Sequence, residues 1–430
     1  MNITVVGAGY VGLTLAAVLA SFKHKVWLVR KDRQKTEELK KGKIHFFEPD
    51  LEGLVRRGLE NSRLLPTVDY REAVSDSEVI FICVGTPSLP DGRIDLSQVE
   101  EAAKEIGENL GAGYTVIVDK STVLPGTAQK VKEIVKKYKQ PRARFDICSC
   151  PEFLREGFTV WDTLHPERII IGSENPKATR ILKRLHRDFG APIVITKIAS
   201  AELLKYAANS CLALRIVFAN QIADLCEKTE ADINEVLAGI GLDKRIGSHY
   251  WYPGLGYGGS CFPKDAAALA AFAQDKGITD SLFERMHKLN KRRIGKIVKR
   301  LEEKFGPLAK RKIGVLGLAC KQGTDDIRES PAIKIIQILE RKRAKIKVYD
   351  PKALENAKRV LTKVEFFKDP YQAAMESEVL LLLTDWREFQ ALDYAKIKKL
   401  MKGNFIFDSR NILPKEKISA LGFNYLGIGR

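Results

Sequence analysis

The chain has 430 residues, 45% of them hydrophobic, enough for packed cores in two or three domains, and no apolar run approaches the roughly 18 residues of a membrane span. Its formal charge of +18 comes from Lys and Arg scattered among acids, as in NKRRIGKIVKRLEEKF (290–305), the pattern of a solvated surface rather than of a nucleic-acid footprint. Seven cysteines, an odd number without zinc spacing or scaffold density, fit reduced thiols in a cytoplasm and exclude a disulfide framework.

The opening MNITVVGAG lacks the basic flank and cleavage site of a signal peptide, and a cytoplasmic chain is expected. Three apolar, β-branched runs follow: NITVVG (2–7), EVIFICVG (78–85) and YTVIVDKST (114–122), with helical patterns such as LSQVEEAAKEIGENL (96–110) between them. Continuous apolar strands alternating with helices predict a doubly wound parallel sheet. In ICSC, Cys148 and Cys150 lie two apart, on one strand face, and read as buried apolar residues.

The turn after the first strand reads GAGYVG, with Gly7, Gly9 and Gly12 spaced as G-x-G-x-x-G around Tyr10 and Val11, directly before a helix pattern. Such a turn lets a pyrophosphate approach the backbone and the helix N-terminus, and it predicts a dinucleotide site. The second strand, KVWLVRKDR, ends where an acid would accept bonds from both ribose hydroxyls; Arg30 stands there, with Asp32 two residues on. A guanidinium pairs with a 2′-phosphate, so NADP is expected as well as, or instead of, NAD. The alternative, Asp32 reaching back to the ribose while Arg30 stacks on adenine, stays open.

SAELLKYAANSCLALRIVFANQIADLCEKT (200–229) keeps an apolar helical period without Gly or Pro, and helix is expected throughout 199–303. A helix of that length suits a connector or subunit interface, and a homodimer through it is predicted. Next, YPGLGYGGSCFPKD (252–265) places four glycines ahead of Cys261, a cluster expected to admit a ligand close to the backbone. A second α/β copy begins at RKIGVLGLACK (311–321), continues through AKIKVYDP (344–351) and EVLLLLTD (378–385), and gives three domains: 1–198, 199–303 and 304–430. The two outer ones are Rossmann-like doubly wound sheets joined by a long central helix and a helical dimerisation region.

Together, GAGYVG, CVGTPSLPDGRIDLS (83–97), DKSTVLPGT (119–127), PEFLREG (151–157), AELLKYAAN (201–209), GYGGSCFPKD (256–265), GLACKQGTDDIRESPA (317–332) and FDSRN (407–411) resemble the nucleotide-sugar dehydrogenases, the UDP-glucose/GDP-mannose dehydrogenase family. The form of the cysteine motif is similar to that of members acting on UDP-glucose. The resemblance implies UDP-glucose as substrate, UDP-glucuronate as product and two equivalents of NAD or NADP; another nucleotide sugar, GDP-mannose or a UDP-N-acetylhexosamine, is the alternative. Arg30, Cys150, Cys320 and VLP (123–125) depart from the family pattern.

By resemblance, Cys261 is the nucleophile, Lys205 and Asn209 stabilise the anionic centres, Asp265 and Thr122 hold the proton-handling water, and Glu156 is the hydrolytic base with Glu152 ordering substrate or water. The cofactor would meet Gly7, Gly9, Tyr10, Val11, Gly12, Arg30, Asp32, Thr86, Thr122, Glu156, Lys264 and Arg328. The sugar nucleotide would meet Glu152, Phe153, Leu154, Lys205, Asn209, Arg245, Tyr250, Tyr252, Gly258, Cys261, Phe262 and Lys321, with Arg245 from a partner subunit as one possibility. No metal site is expected, and the six histidines carry no assigned chemistry.

Overall fold

A computed structural model describes all 430 residues. They divide into two compact units, Met1–Ala208 and Asn209–Arg430. The boundary falls inside a helix, Ile198–Cys226, whose 29 residues match the uninterrupted apolar period expected there.

The first unit holds eight strands: β1 (Asn2–Val6), β2 (Lys25–Val29), β3 (Leu64–Thr67), β4 (Val79–Ile82), β5 (Tyr114–Asp119), β6 (Arg144–Ser149), β7 (Ile169–Gly172) and β8 (Ile193–Thr196). Their order is β3-β2-β1-β4-β5-β6-β7-β8, parallel except where β6 meets β7. The strands read as unbroken apolar runs because both faces are covered. Ile3, Val5, Val79, Phe81, Val116 and Val118 pack into one core, and Val6, Ile80, Ile82 and Ile117 into another.

The second unit carries six strands: β9 (Lys312–Leu316), β10 (Lys345–Tyr349), β11 (Val364–Phe366), β12 (Val379–Leu382), β13 (Phe405–Asp408) and β14 (Asn424–Gly427). Their order, β11-β10-β9-β12-β13-β14, repeats that of the first six strands and is the dinucleotide-fold order 3-2-1-4-5-6. Alternate residues again face two cores, Ile313, Val315 and Leu381 in one, Leu316, Leu380 and Leu382 in the other. In such sheets ligands gather beyond the carboxyl ends of the central strands, where the order reverses.

The expectation of helix throughout 199–303 needs correction. Helices cover Ile198–Cys226, Ile233–Gly241, Phe262–Asp275 and Leu282–Phe305, but the glycine-rich stretch before Phe262 is loop. Pro253 and the four glycines of YPGLGYGGSC (252–261) deprive that segment of helix propensity. No helix is long and apolar enough to cross a membrane, and no disulfide forms.

Candidate active site

Beyond the end of β1, Gly7 turns the chain at φ +107°, and a Cβ there would lie 2.4 Å from the Cys83 carbonyl oxygen. At Gly12 a Cβ would sit 1.8 Å from Gly7 O, so the first helical turn can pack under the loop only with glycine. Gly9 is different: nothing of the protein lies within 4 Å of where its Cβ would be. It is the N-cap of the helix Tyr10–Ser21, and no side chain caps that end. A helix start with open space before Gly9 fits the pyrophosphate of a dinucleotide. Tyr10 stacks on Phe46 with ring centroids 4.1 Å apart.

Arg30 follows β2, its N–H bonded to Thr67 O at 3.0 Å. Asp32 caps the helix Arg33–Lys40, its carboxylate accepting from Lys35 N at 3.0 Å, and this bond holds the carboxyl below its usual range. That carboxylate already has work at the helix start.

Glu152 lies in the loop after β6 and is buried together with Lys205, their charged groups 3.1 Å apart. Burial pushes the Glu152 pKa up, but the Lys205 ammonium, the Leu154 N–H at 2.5 Å and the charge of Lys120 outweigh it and hold the carboxyl below its ordinary value. The Lys205 ammonium also lies 5.3 Å from the centre of the Phe153 ring, on which the Arg168 guanidinium stacks at 3.9 Å. Glu156, half-buried, follows on the same non-helical stretch. Thr86 donates its hydroxyl to Thr122 O at 3.0 Å, and Tyr206 donates to the same carbonyl at 3.3 Å. One turn before Lys205, the Glu202 carboxylate accepts from Gly126 N and Ala128 N at 2.9 and 2.8 Å and so ties the helix to the Thr122 loop. Sequence reasoning passed over Glu202 and Tyr206. An acid inside an apolar helical stripe was the available signal.

In the second unit, Cys261 is the N-cap of the helix Phe262–Asp275, exposed, with Ser260 Oγ 3.4 Å from its sulfur. A helix N-terminus favours the thiolate. One turn on, Asp265 is 1% exposed and donates its N–H to Cys261 O at 2.8 Å. Its carboxylate accepts from Asn209 Nδ2 at 2.6 Å and Lys264 Nζ at 2.5 Å. Asn209 lies four residues beyond Lys205 in the same helix, so the two share one face.

Three of the four glycines ahead of Cys261 pack closely against the protein itself. A Cβ would lie 2.9 Å from Ser409 O at Gly254, 2.5 Å from Asn290 Oδ1 at Gly256, and 2.5 Å from Glu329 O at Gly258. Three polar residues then pin the loop. Asn220 accepts from Gly254 N at 2.8 Å, Arg293 donates to Gly254 O at 2.9 Å, and the Asn290 amide both accepts from Tyr257 N and donates to Tyr257 O, at 2.9 and 3.0 Å. None of these was foreseen, because each lies more than thirty positions from its partner.

The remaining expected contacts are dispersed. Tyr250, in the left-handed region at φ +66°, lies against Tyr252 and Phe262 with ring centroids 5.4 and 6.3 Å apart. Arg245 is exposed and forks onto its neighbour Asp243, while Arg328 forks onto Asp326. Lys321 stands half-buried in the loop after β9. The structure thus gathers Glu152, Phe153, Leu154 and Lys205 in one unit, and Asn209, Cys261, Phe262, Lys264 and Asp265 in the other.

Family models match in three successive parts: the NAD binding domain of the UDP-glucose/GDP-mannose dehydrogenase family over residues 1–190, its central domain over 199–292 and its UDP binding domain over 314–415. The chain is 44% identical to a UDP-glucose 6-dehydrogenase of Rhizobium meliloti, covering 100% of both chains, and 43% identical to one of Bacillus subtilis, covering 100% of this chain and 93% of that one. Among solved structures, a UDP-glucose dehydrogenase of Pyrobaculum islandicum superposes with a TM-score of 0.92 at 36% identity, over 99% of this chain and 97% of that one. With a dinucleotide turn at one sheet, a thiol at a helix start before a buried aspartate, and likeness along its whole length, the chain belongs to the UDP-glucose/GDP-mannose dehydrogenase family of oxidoreductases.

Proposed function

We propose that the chain oxidises the C6 alcohol of UDP-glucose to the carboxylate of UDP-glucuronate, by way of a thiohemiacetal and a thioester on Cys261. The observation that carries this reading is the thiol at the start of a helix whose fourth residue, Asp265, is buried and held by Asn209 and Lys264. NAD or NADP, when bound, takes up a hydride in each of the two oxidations. Gly7, Gly9, Tyr10, Val11 and Gly12 would hold its pyrophosphate, Arg30 its adenosine end, and Thr86 and Thr122 its nicotinamide end. Arg30 favours use of NADP beside NAD, since Asp32 is engaged as a helix cap.

An aldehyde has no alkoxide from which a second hydride can leave. Addition of the Cys261 sulfur to its carbonyl carbon supplies one, in the thiohemiacetal. Loss of that hydride leaves a thioester, and water then adds, the C–S bond breaks, and the thiol returns with the acid. Both additions place negative charge on the former carbonyl oxygen, and the Lys205 ammonium and Asn209 amide are the groups suited to it. Asp265 and Thr122 hold the water that takes up the alcohol proton, Glu156 removes a proton from the hydrolytic water, and Glu152, paired with Lys205, orders substrate or water. The UDP end falls to the C-terminal part, with Lys321 and Arg245 as cations for the diphosphate. A cytoplasmic homodimer through the central helices belongs to this reading, as does the division at 198/199 and 303/304. Leu203, Phe218 and Leu225 expose apolar surface along the helix Ile198–Cys226.

Counting reduced cofactor per UDP-glucose consumed tests the proposal. Two are expected for the natural chain, with Cys261→Ser stalling at an adduct or losing turnover. Uronate formation at full rate by Cys261→Ala overturns the thiol route, and preferred turnover of GDP-mannose or UDP-N-acetylmannosamine overturns the substrate.

A further inference from the structure

The two sheets place Arg30 and Asp350 at the same point of the same plan. Val29 pairs with Val6 and Tyr349 with Leu316, so each of the two residues comes directly after the second strand of its sheet. In both copies the glycine after the first strand donates to the end of the second, Gly7 N to Val29 O at 2.9 Å and Gly317 N to Tyr349 O at 2.8 Å. Both glycines are left-handed, at φ +107° and +100°.

From that point the copies diverge. Asp350, 1% exposed, turns back beneath the loop that follows β9. Its Oδ2 accepts from Leu318 N at 2.7 Å, Ala319 N at 3.1 Å and the Trp386 indole N–H at 3.1 Å. Its Oδ1 accepts from Lys352 N and Ala353 N, both at 2.8 Å. Amides directly after a left-handed glycine at the end of the first strand are the ones this fold otherwise turns toward a phosphate. Here a carboxylate of the chain itself takes them.

The rest of the loop is tied down as well. Leu318 O accepts from Ser330 Oγ and Ala319 O from Thr384 Oγ1, each at 2.8 Å. Cys320 N donates to Asp326 O at 3.0 Å, and Cys320 O accepts from Arg410 at 3.3 Å. Lys321 comes next.

We propose that Asp350 is a built-in anion that closes the second sheet's loop to phosphate and, by fixing that loop, is the positioning residue for Lys321. This rests on the reading that this part of the chain holds the UDP end of the substrate. With its amides occupied and a buried negative charge beneath them, the loop meets a diphosphate through the Lys321 side chain rather than through its backbone.

Calorimetric titration of UDP into the full chain tests this, for the natural protein, Asp350→Asn, Lys321→Ala and the double variant. Asp350→Asn leaves one of the two N–H sets that the carboxylate now accepts, Leu318 with Ala319 or Lys352 with Ala353, facing an amide N–H, and about a tenfold loss of UDP affinity is expected. On the Lys321→Ala background the same change is expected to cost about twofold or less, since the cation it positions is gone. Initial rates should show a raised KM for the sugar nucleotide and an unaltered KM for the cofactor. Equal UDP affinity in Asp350→Asn and the natural protein overturns the proposal, as does an undiminished loss on the Lys321→Ala background. A natural chain that fails to bind UDP overturns the proposal together with the reading beneath it. Should Asp350→Asn not fold, Trp386→Phe removes one of the donors, with about a threefold weakening of UDP expected; no weakening there overturns the proposal too.

Discussion

Asn209 and Asp265 are joined by a 2.6 Å bond from Nδ2 to Oδ2, linking the long helix that carries Lys205 to the helix that begins at Cys261. Asp265 is buried, so its carboxylate depends on Asn209 and Lys264 for compensation. Replacing Asn209 with Ala removes an amide donor and leaves a buried carboxylate oxygen without its partner. Turnover should fall about a hundredfold, with the cofactor KM little changed. Steady-state rates that stay within about twofold of the natural chain would remove Asn209 from the chemistry.

The Lys205–Glu152 pair has a pH signature of its own. Because the folded carboxyl lies below its unfolded value, the pair adds stability above pH about 4.5 and loses it as pH falls through the folded pKa. Lys205→Met leaves burial dominant, which raises the carboxyl pKa and reverses the sign: the variant loses stability as pH rises. The cost near neutrality should be about 3–5 kcal/mol, as for any broken buried pair. Urea melts of both proteins at pH 4.5 and 7 measure it, and parallel pH profiles would contradict the assignment.

Arg30→Asp should restore an acceptor for the ribose hydroxyls and remove the cation suited to a 2′-phosphate. The KM for NADP is expected to rise about tenfold or more while that for NAD stays level or falls. If the ratio of the two constants does not move, Arg30 does not meet the phosphate.

The strands were legible because both sheet faces are covered, which makes NITVV and VIFI continuous apolar runs that no exposed strand could tolerate. Gly7 and Gly12 were legible from their spacing, although only at Gly12 would a Cβ meet a neighbour in the same turn, Gly7 O at 1.8 Å, while Gly7 is confined by the distant Cys83 carbonyl. Cys261 stood out through its local motif in the same way. What stayed hidden is held by partners far apart in sequence. Asn290 reaches Tyr257 and Arg293 reaches Gly254 across a fold that no local pattern encodes. Nothing in VYDP marks Asp350, and only the folded loop reveals that its carboxylate turns inward. The glycine cluster was legible in the composition, which marks close approach without saying what approaches.

His186 supplies a stability marker remote from the chemistry. It is fully buried beside Phe81 and Phe189, its Nδ1 is 2.8 Å from Leu182 O, and burial pushes its pKa down to about 4. A folded value below the unfolded one near 6.5 means that stability is complete above pH 6.5 and drains away between pH 6.5 and 4. From this group alone the slope is about 1.4 kcal/mol per pH unit. His186→Leu should flatten that portion of the stability curve measured by denaturant titration, and an unaltered slope would show that the ring does not titrate as described.

The packing of Gly254, Gly256 and Gly258 against Ser409, Asn290 and Glu329 bears on attempts to retune sugar acceptance by mutagenesis. Randomising those three codons would chiefly collect chains that cannot close the turn beside Cys261. Variation is better spent on Tyr252, which is half exposed and already lies against Tyr250, where a new side chain can be tried without dismantling the scaffold behind the sulfur.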